Sequence, residues 1–225
     1  MKKIVDLSFP IHEGMTVFPV HWHPKVEINV LGRHEVEKRE TRKVVFGTHT
    51  GTHVDAPQHF IPGGRTIDEI PIDILVGPAL LLDFSYANPK QEMGIKDFKS
   101  QIGDKKPERI LVRFDWSDHW GKSDYYPDHP FFSEEAAKWL VEKGIKLVGY
   151  DTPMPDNPKN GFHSDNDSPI HKIFLGKNVV LVEYLCNLNQ LEGPEVELIV
   201  APLRIVKGDG AAARCFAIEK ERRSK

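Results

Sequence analysis

The sequence predicts a single α/β domain of 225 residues, with a mixed β-sheet core and flanking helices. Three observations lead there. Short apolar stretches punctuated by Gly or Pro recur along the chain. Strand candidates outnumber helix candidates. A helix over 133–143 followed by a strand over 147–150 has the form of an α/β crossover. The length fits one compact domain, and no repeat, low-complexity stretch or composition break marks a linker, so residues 1–225 are read as one unit.

Eight stretches read as strands by their length and β-branched content: Ile4 to Leu7, Val26 to Leu31, Val44 to Phe46, Ala79 to Phe84, Ile110 to Phe114, Leu147 to Tyr150, Val179 to Tyr184 and Val196 to Val200. The segment His21-Trp22-His23 is also read as strand, with its two imidazoles on one face. Of the two helices, one opens at Ser133 as N-cap, carries Glu134 and Glu135 in its first turn and stops at Gly144. The other spans Ile95 to Ile102 and ends at Gly103. Ser164 to Ser168 alternates Asp with other polar residues but lacks the Gly and terminal Glu of a calcium loop, so it reads as a turn.

A hydrophobic share of 40% and a charged share of 28% are enough to build a real core. The 30 basic against 33 acidic residues leave a net charge of −3, which offers no footprint for nucleic acid or an anionic membrane. Asp6, Pro10, His12 and Glu13 interrupt the N-terminal segment, so no signal peptide is expected. The apolar runs from Leu75 and from Val179 fall well short of the roughly 20 residues that a membrane helix needs. Two cysteines, Cys186 and Cys215, are read as buried small hydrophobes in a reducing cytoplasm.

The chemistry concentrates in His49-Thr50-Gly51-Thr52-His53-Val54-Asp55-Ala56-Pro57-Gln58-His59. On one regular helix His49 and His53 share a face, but Asp55 lies about 240° round from His49. On one straight strand His49 and His53 stand about 13 Å apart, too far for a shared ion with ligand bonds near 2 Å. The chain must therefore bend, and Gly51 and Pro57 sit where bending is easy. Two imidazoles and a carboxylate suit Zn²⁺ or Mn²⁺, and three protein ligands leave a position open for water. His59 is either a further ligand or an unbound general base.

The string His49-x-Gly51-Thr52-His53-x-Asp55-x-Pro57-x-His59 resembles the signature of the cyclase-like metal-dependent hydrolases, the family of bacterial-type kynurenine formamidases and isatin hydrolases. Similar blocks follow at Gly63 to Asp68, Ile110 to Trp120 and Lys146 to Pro153. The resemblance implies a swivelling β/β/α fold, metal binding by His49, His53 and Asp55, and His59 as catalytic acid/base. It also implies a His and a Glu twelve residues apart in the C-terminal half, a spacing that His171 and Glu183 match. Glu183 interrupts an apolar run, where a carboxylate is costly unless it is paired or coordinating.

The expected cofactor is Zn²⁺, with Mn²⁺ as the alternative, at one or two ions per subunit. The expected reaction is hydrolysis of an amide, foremost an arylformamide such as N-formylkynurenine, in a homodimer or homotetramer. The rivals are an isatin-like hydrolase of a cyclic amide or lactone and a metal-binding module without turnover, which would have no need of His59. His21 and His23 are assigned structural or substrate-lining roles, His12 and His34 the surface. His119, His129 and His163 are candidates to line a pocket because aromatic residues flank them.

Overall fold

The computed structural model describes residues 2–161 and 164–219. In chain order its elements are β1 (Ile4–Asp6), β2 (Glu27–Gly32), β3 (Thr41–Val45), β4 (His53–Asp55), α1 (Ile72–Leu75), β5 (Val76–Asp83), β6 (Glu92–Met93), α2 (Ile95–Ile102), β7 (Arg109–Arg113), β8 (Phe131–Phe132), α3 (Glu134–Glu142), β9 (Leu147–Tyr150), α4 (Pro169–Leu175), β10 (Val180–Glu183), β11 (Glu195–Pro202) and β12 (Gly210–Glu219). Each of the eight expected strand stretches lies in or overlaps one of these strands. Both expected helices form, α2 with the expected bounds. The Ser133 hydroxyl accepts from the Ala136 backbone N–H at 3.1 Å and so caps α3 as its sequence suggests.

Seven strands close into a barrel in the order β12-β11-β5-β7-β9-β10-β4, and β4 completes the ring by pairing with the start of β12. Strand β1 lies along the other end of β12. The run β5-β7-β9-β10 is parallel, whereas β4, β11 and β12 pair antiparallel, so the sheet is mixed as expected. Strands β7, β9 and β10 are buried on both faces, which is why they read as nearly continuous apolar runs. Leu111, Leu147, Val180 and Val182 point into the barrel with Val54, Leu198 and Ala217. Alternate residues Ile110, Val112, Val148, Tyr150 and Leu181 pack outward against Phe98 of α2, Leu140 of α3 and Phe174 of α4.

Strands β2 and β3 form a separate two-stranded ribbon. The His21-Trp22-His23 segment is a turn, not a strand: the chain is reversing before Pro24 on its way into that ribbon. Cys186 and Cys215 are both buried and free. Among the described residues no helix is long and apolar enough to cross a membrane.

Candidate metal centre

The bend required at Gly51 is present, with φ at 60°, a left-handed conformation that glycine adopts without steric cost. It lets the chain turn after His49 and enter β4, where His53 and Asp55 share one face and Val54 between them points into the core. A short 3-10 turn, Pro57–His59, then brings His59 back toward His49, and the two rings stack with centroids 3.8 Å apart. Antiparallel pairing of β4 with β10 sets Glu183 directly opposite His53. His171 arrives from the first turn of α4.

All five expected ligand positions converge. His49 Nδ1 lies 2.7 Å from Asp55 Oδ1. His53 Nε2 lies 3.2 Å from Asp55 Oδ1 and 3.4 Å from Glu183 Oε2. His171 Nε2 lies 3.1 Å from Glu183 Oε1 and 3.5 Å from Asp55 Oδ2. His53, Asp55, His171 and Glu183 are all buried. Among the described residues the geometry yields two ion-sized groupings that share Asp55: His53 with Asp55 and Glu183, and His49 with Asp55 and His59. His59 thus stands within reach of a ligand role as well as of the acid/base role.

Three backbone and side-chain supports aim these groups. His53 Nδ1 donates to the Gly51 carbonyl at 2.7 Å, which turns the Nε2 lone pair toward the carboxylates. Tyr150, buried on the outer face of β9, donates its hydroxyl to Glu183 Oε1 at 2.7 Å. Asp156 accepts from His171 Nδ1 at 2.5 Å. The result leaves His53 Nε2 and Asp55 Oδ2 buried without a hydrogen-bond partner among the described residues. Lone pairs that face one another at this range, away from water, call for a positive occupant, and a divalent cation supplies one. A set of imidazole nitrogens and carboxylate oxygens without a thiolate fits such an ion.

The titration of the groups follows the same logic. Burial opposes a charged His49, but the Asp55 charge and the hydrogen bonds to Asp209 and Asp55 outweigh it and raise its pKa to about 10. Burial pushes Asp55 up, yet the charges of His49 and His59, the nearby His171 ring and the hydrogen bond from His49 hold it well below the usual carboxylate range. Asp209 is also strongly lowered, first by its hydrogen bond to His49 and then by that to His59. Its Oδ2 lies 2.8 Å from His49 Nε2 and 3.4 Å from His59 Nδ1. Sequence reading missed Asp209, Asp156 and Tyr150. The string Gly208-Asp209-Gly210 was the one available sign, a tight turn bearing a carboxylate.

The centre forms the floor of a cavity of about 520 Å³, walled by Phe18, Trp22, Phe60 and Tyr184. This is within the size range of small-molecule sites. Tyr184 has a left-handed backbone, φ 55°, which ends β10 and turns the chain just after Glu183. His23 lines the cavity and bonds the His49 carbonyl through Nε2 at 3.0 Å. His12 and His34 are exposed. His119 and His129 do not line the cavity. His119 stacks on Trp116 and pairs with Asp124, and His129 is buried with Nδ1 bonded to the Pro130 carbonyl. His163 lies outside the described residues.

Fold and site together define a closed-barrel protein with a buried imidazole and carboxylate centre beneath an aromatic-walled cavity. The chain belongs to the Cyclase family: the model of that family, described as putative cyclase, matches residues 5–157. Among curated relatives, a kynurenine formamidase of Bacillus cytotoxicus is 29% identical over 213 residues, 94% of this chain and 95% of the relative. Among solved structures, isatin hydrolase A from Labrenzia aggregata, bound to benzyl benzoate, aligns with a TM-score of 0.87 and 28% identity over 98% of this chain and 94% of that one. A potential metal-dependent hydrolase with cyclase activity aligns with a TM-score of 0.78 and 27% identity over 99% and 100% of the two chains.

Proposed function

We propose that this chain is a metal-dependent hydrolase that cleaves the carbon–nitrogen bond of a small aromatic amide, foremost an arylformamide such as N-formylkynurenine. One observation carries the reading: His53, whose buried Nε2 has no hydrogen-bond partner among the described residues, lines the floor of an aromatic-walled cavity with Asp55 Oδ1 3.2 Å behind it. The formamidase and isatin hydrolase relatives support the reaction class. His49, His53, Asp55, His171 and Glu183 would hold one or two ions, Zn²⁺ or alternatively Mn²⁺. When bound, such an ion polarises a carbonyl and acidifies water.

The residues of the chain supply the rest. Phe18, Trp22, Phe60 and Tyr184 enclose an aryl group and keep bulk water from the floor. Asp209 holds His59 at Nδ1, which leaves Nε2 as the atom that moves the proton. As water oxygen bonds to the formyl carbon, His59 takes a proton from it. As the C–N bond breaks, His59 returns that proton to the leaving nitrogen, and the products are formate, an arylamine and one released proton.

A second reading, ring opening of an isatin-like cyclic amide, is favoured by the alignment with isatin hydrolase A over 98% of this chain. There the leaving nitrogen stays tethered and one product results. A panel of formanilides, isatin and simple lactones separates the two on metal-replete protein. Turnover of formanilide, lost with a chelator and restored by Zn²⁺ or Mn²⁺, is the expected result, and Asp55→Asn should lose both metal and activity. Metal-replete protein inert toward the whole panel would favour a metal-binding module. The swivelling β/β/α description, a cytoplasmic location and a homodimer or homotetramer also enter as proposals from the family resemblance, the last checked by light scattering.

A further inference from the structure

Asp156 lies in the loop after β9, is fully buried, and gives both carboxylate oxygens to the first turn of α4. Oδ1 accepts from the Ile170 backbone N–H at 2.6 Å. Oδ2 accepts from the His171 backbone N–H at 3.2 Å and from the His171 ring Nδ1 at 2.5 Å. One side chain therefore fixes the start of the helix and the orientation of the ring that the helix carries. Phe60 lies along the same imidazole, centroids 4.5 Å apart and planes tilted by 32°, and limits rotation of the ring. With a carboxylate at Nδ1, that nitrogen must donate, so Nε2 is the atom presented to Glu183 Oε1 and Asp55 Oδ2.

His53, the neighbouring imidazole on Glu183, differs in one respect. His53 Nδ1 is held by a neutral carbonyl, that of Gly51, whereas His171 Nδ1 is held by a carboxylate. A hydrogen bond to an anion is roughly twice as strong as one between neutral groups, and it pushes electron density through the ring toward Nε2. Of these two rings on Glu183, His171 is thereby the one held by a charged partner.

We propose that Asp156 is a positioning residue of the metal centre, setting the tautomer, aim and donor strength of His171. The proposal rests on the reading of the centre as a cation site. Its role is exerted through His171, with no contact to substrate.

The test uses the full chain, stripped of metal and titrated with Zn²⁺ against a chromophoric chelator. Asp156→Asn keeps the shape of the side chain and removes the charge. It should weaken Zn²⁺ binding by about 10- to 100-fold and shrink the rise in Tm that Zn²⁺ produces. Pro169→Ala loosens the start of the same helix without touching the carboxylate. It should lower the metal-free Tm and leave the Kd for Zn²⁺ unchanged. Equal affinity in Asp156→Asn and wild type would overturn the role of Asp156, while wild type that takes up no Zn²⁺ would overturn the reading of the centre itself. If Asp156→Asn does not fold, the wild type still decides. The ¹⁵N shifts of His171 in metal-free protein should show Nδ1 protonated, and a bare Nδ1 would refute the proposal.

Discussion

Asp151, immediately after β9, should make the protein lose stability as pH rises. Its carboxyl is buried; Oδ1 accepts from the Phe114 backbone N–H at 2.9 Å, and Oδ2 has no partner among the described residues. Burial, with a further contribution from the Asp115 charge, raises its pKa from 3.8 to about 7. The folded state thus holds a proton that the unfolded chain has already released between those two values. Stability from this group is complete below pH 3.8, declines as pH rises toward 7, and is flat above. Once ionised, the buried carboxylate costs the fold about 4 kcal/mol. Asp151→Asn retains the acceptor for Phe114 and cannot ionise.

The amide has its own burial cost, but that cost does not depend on pH. The informative quantity is therefore the stability difference between wild type and Asp151→Asn, measured by urea unfolding at pH 5 and again at pH 8. Wild type should lose about 2–3 kcal/mol relative to the variant across that interval. Working in excess chelator removes metal linkage, and groups common to both proteins cancel. A difference that stays constant within the error of the extrapolation would refute the assignment of a neutral Asp151.

Two further outcomes follow from the site. His59→Ala should keep its metal content and melting temperature and lose about 10²- to 10⁴-fold in turnover; loss of metal in step with activity would make His59 a ligand, and unchanged turnover would mean that another base acts. Gly210→Ala would place a Cβ 2.7 Å from the Val54 carbonyl oxygen and 2.8 Å from His49 Cε1. Because backbone cannot yield there, it should cost about 1–3 kcal/mol and displace His49, read as lower Tm and weaker metal binding; no change in either would refute the packing argument.

The residues legible in the sequence were those marked by local spacing or local conflict. His49, His53, Asp55 and His59 stood out because they crowd eleven positions, and Glu183 because it breaks an apolar strand. Strands β7, β9 and β10 were legible because burial on both faces leaves no polar alternation to confuse them. Asp209 and Tyr150 are brought in by topology: β12 pairs with β4 across more than 150 residues, and β9 is parallel to β10. Helix α4 was missed because seven residues behind a polar turn give too short a period to read. Strand β12 was missed because its Ala-rich opening, Gly210-Ala211-Ala212-Ala213, lacks the β-branched residues that mark a strand.

The failure at β4 is the most informative, because that strand is buried at all three positions and yet reads His-Val-Asp. A strand between two neighbours in a closed barrel ordinarily fills its buried faces with apolar side chains. Here positions 53 and 55 belong to the candidate centre, and Val54 alone is left to serve the core. The strand is illegible for the same reason that the site exists, as expected where a functional requirement overrides local consistency. The register that opposes Glu183 to His53 and Gly210 to Asp55 is also the one that closes the barrel. Barrel closure and assembly of the centre are therefore one structural event, and a cation that draws these facing lone pairs together would stabilise the seam where β10, β4 and β12 meet.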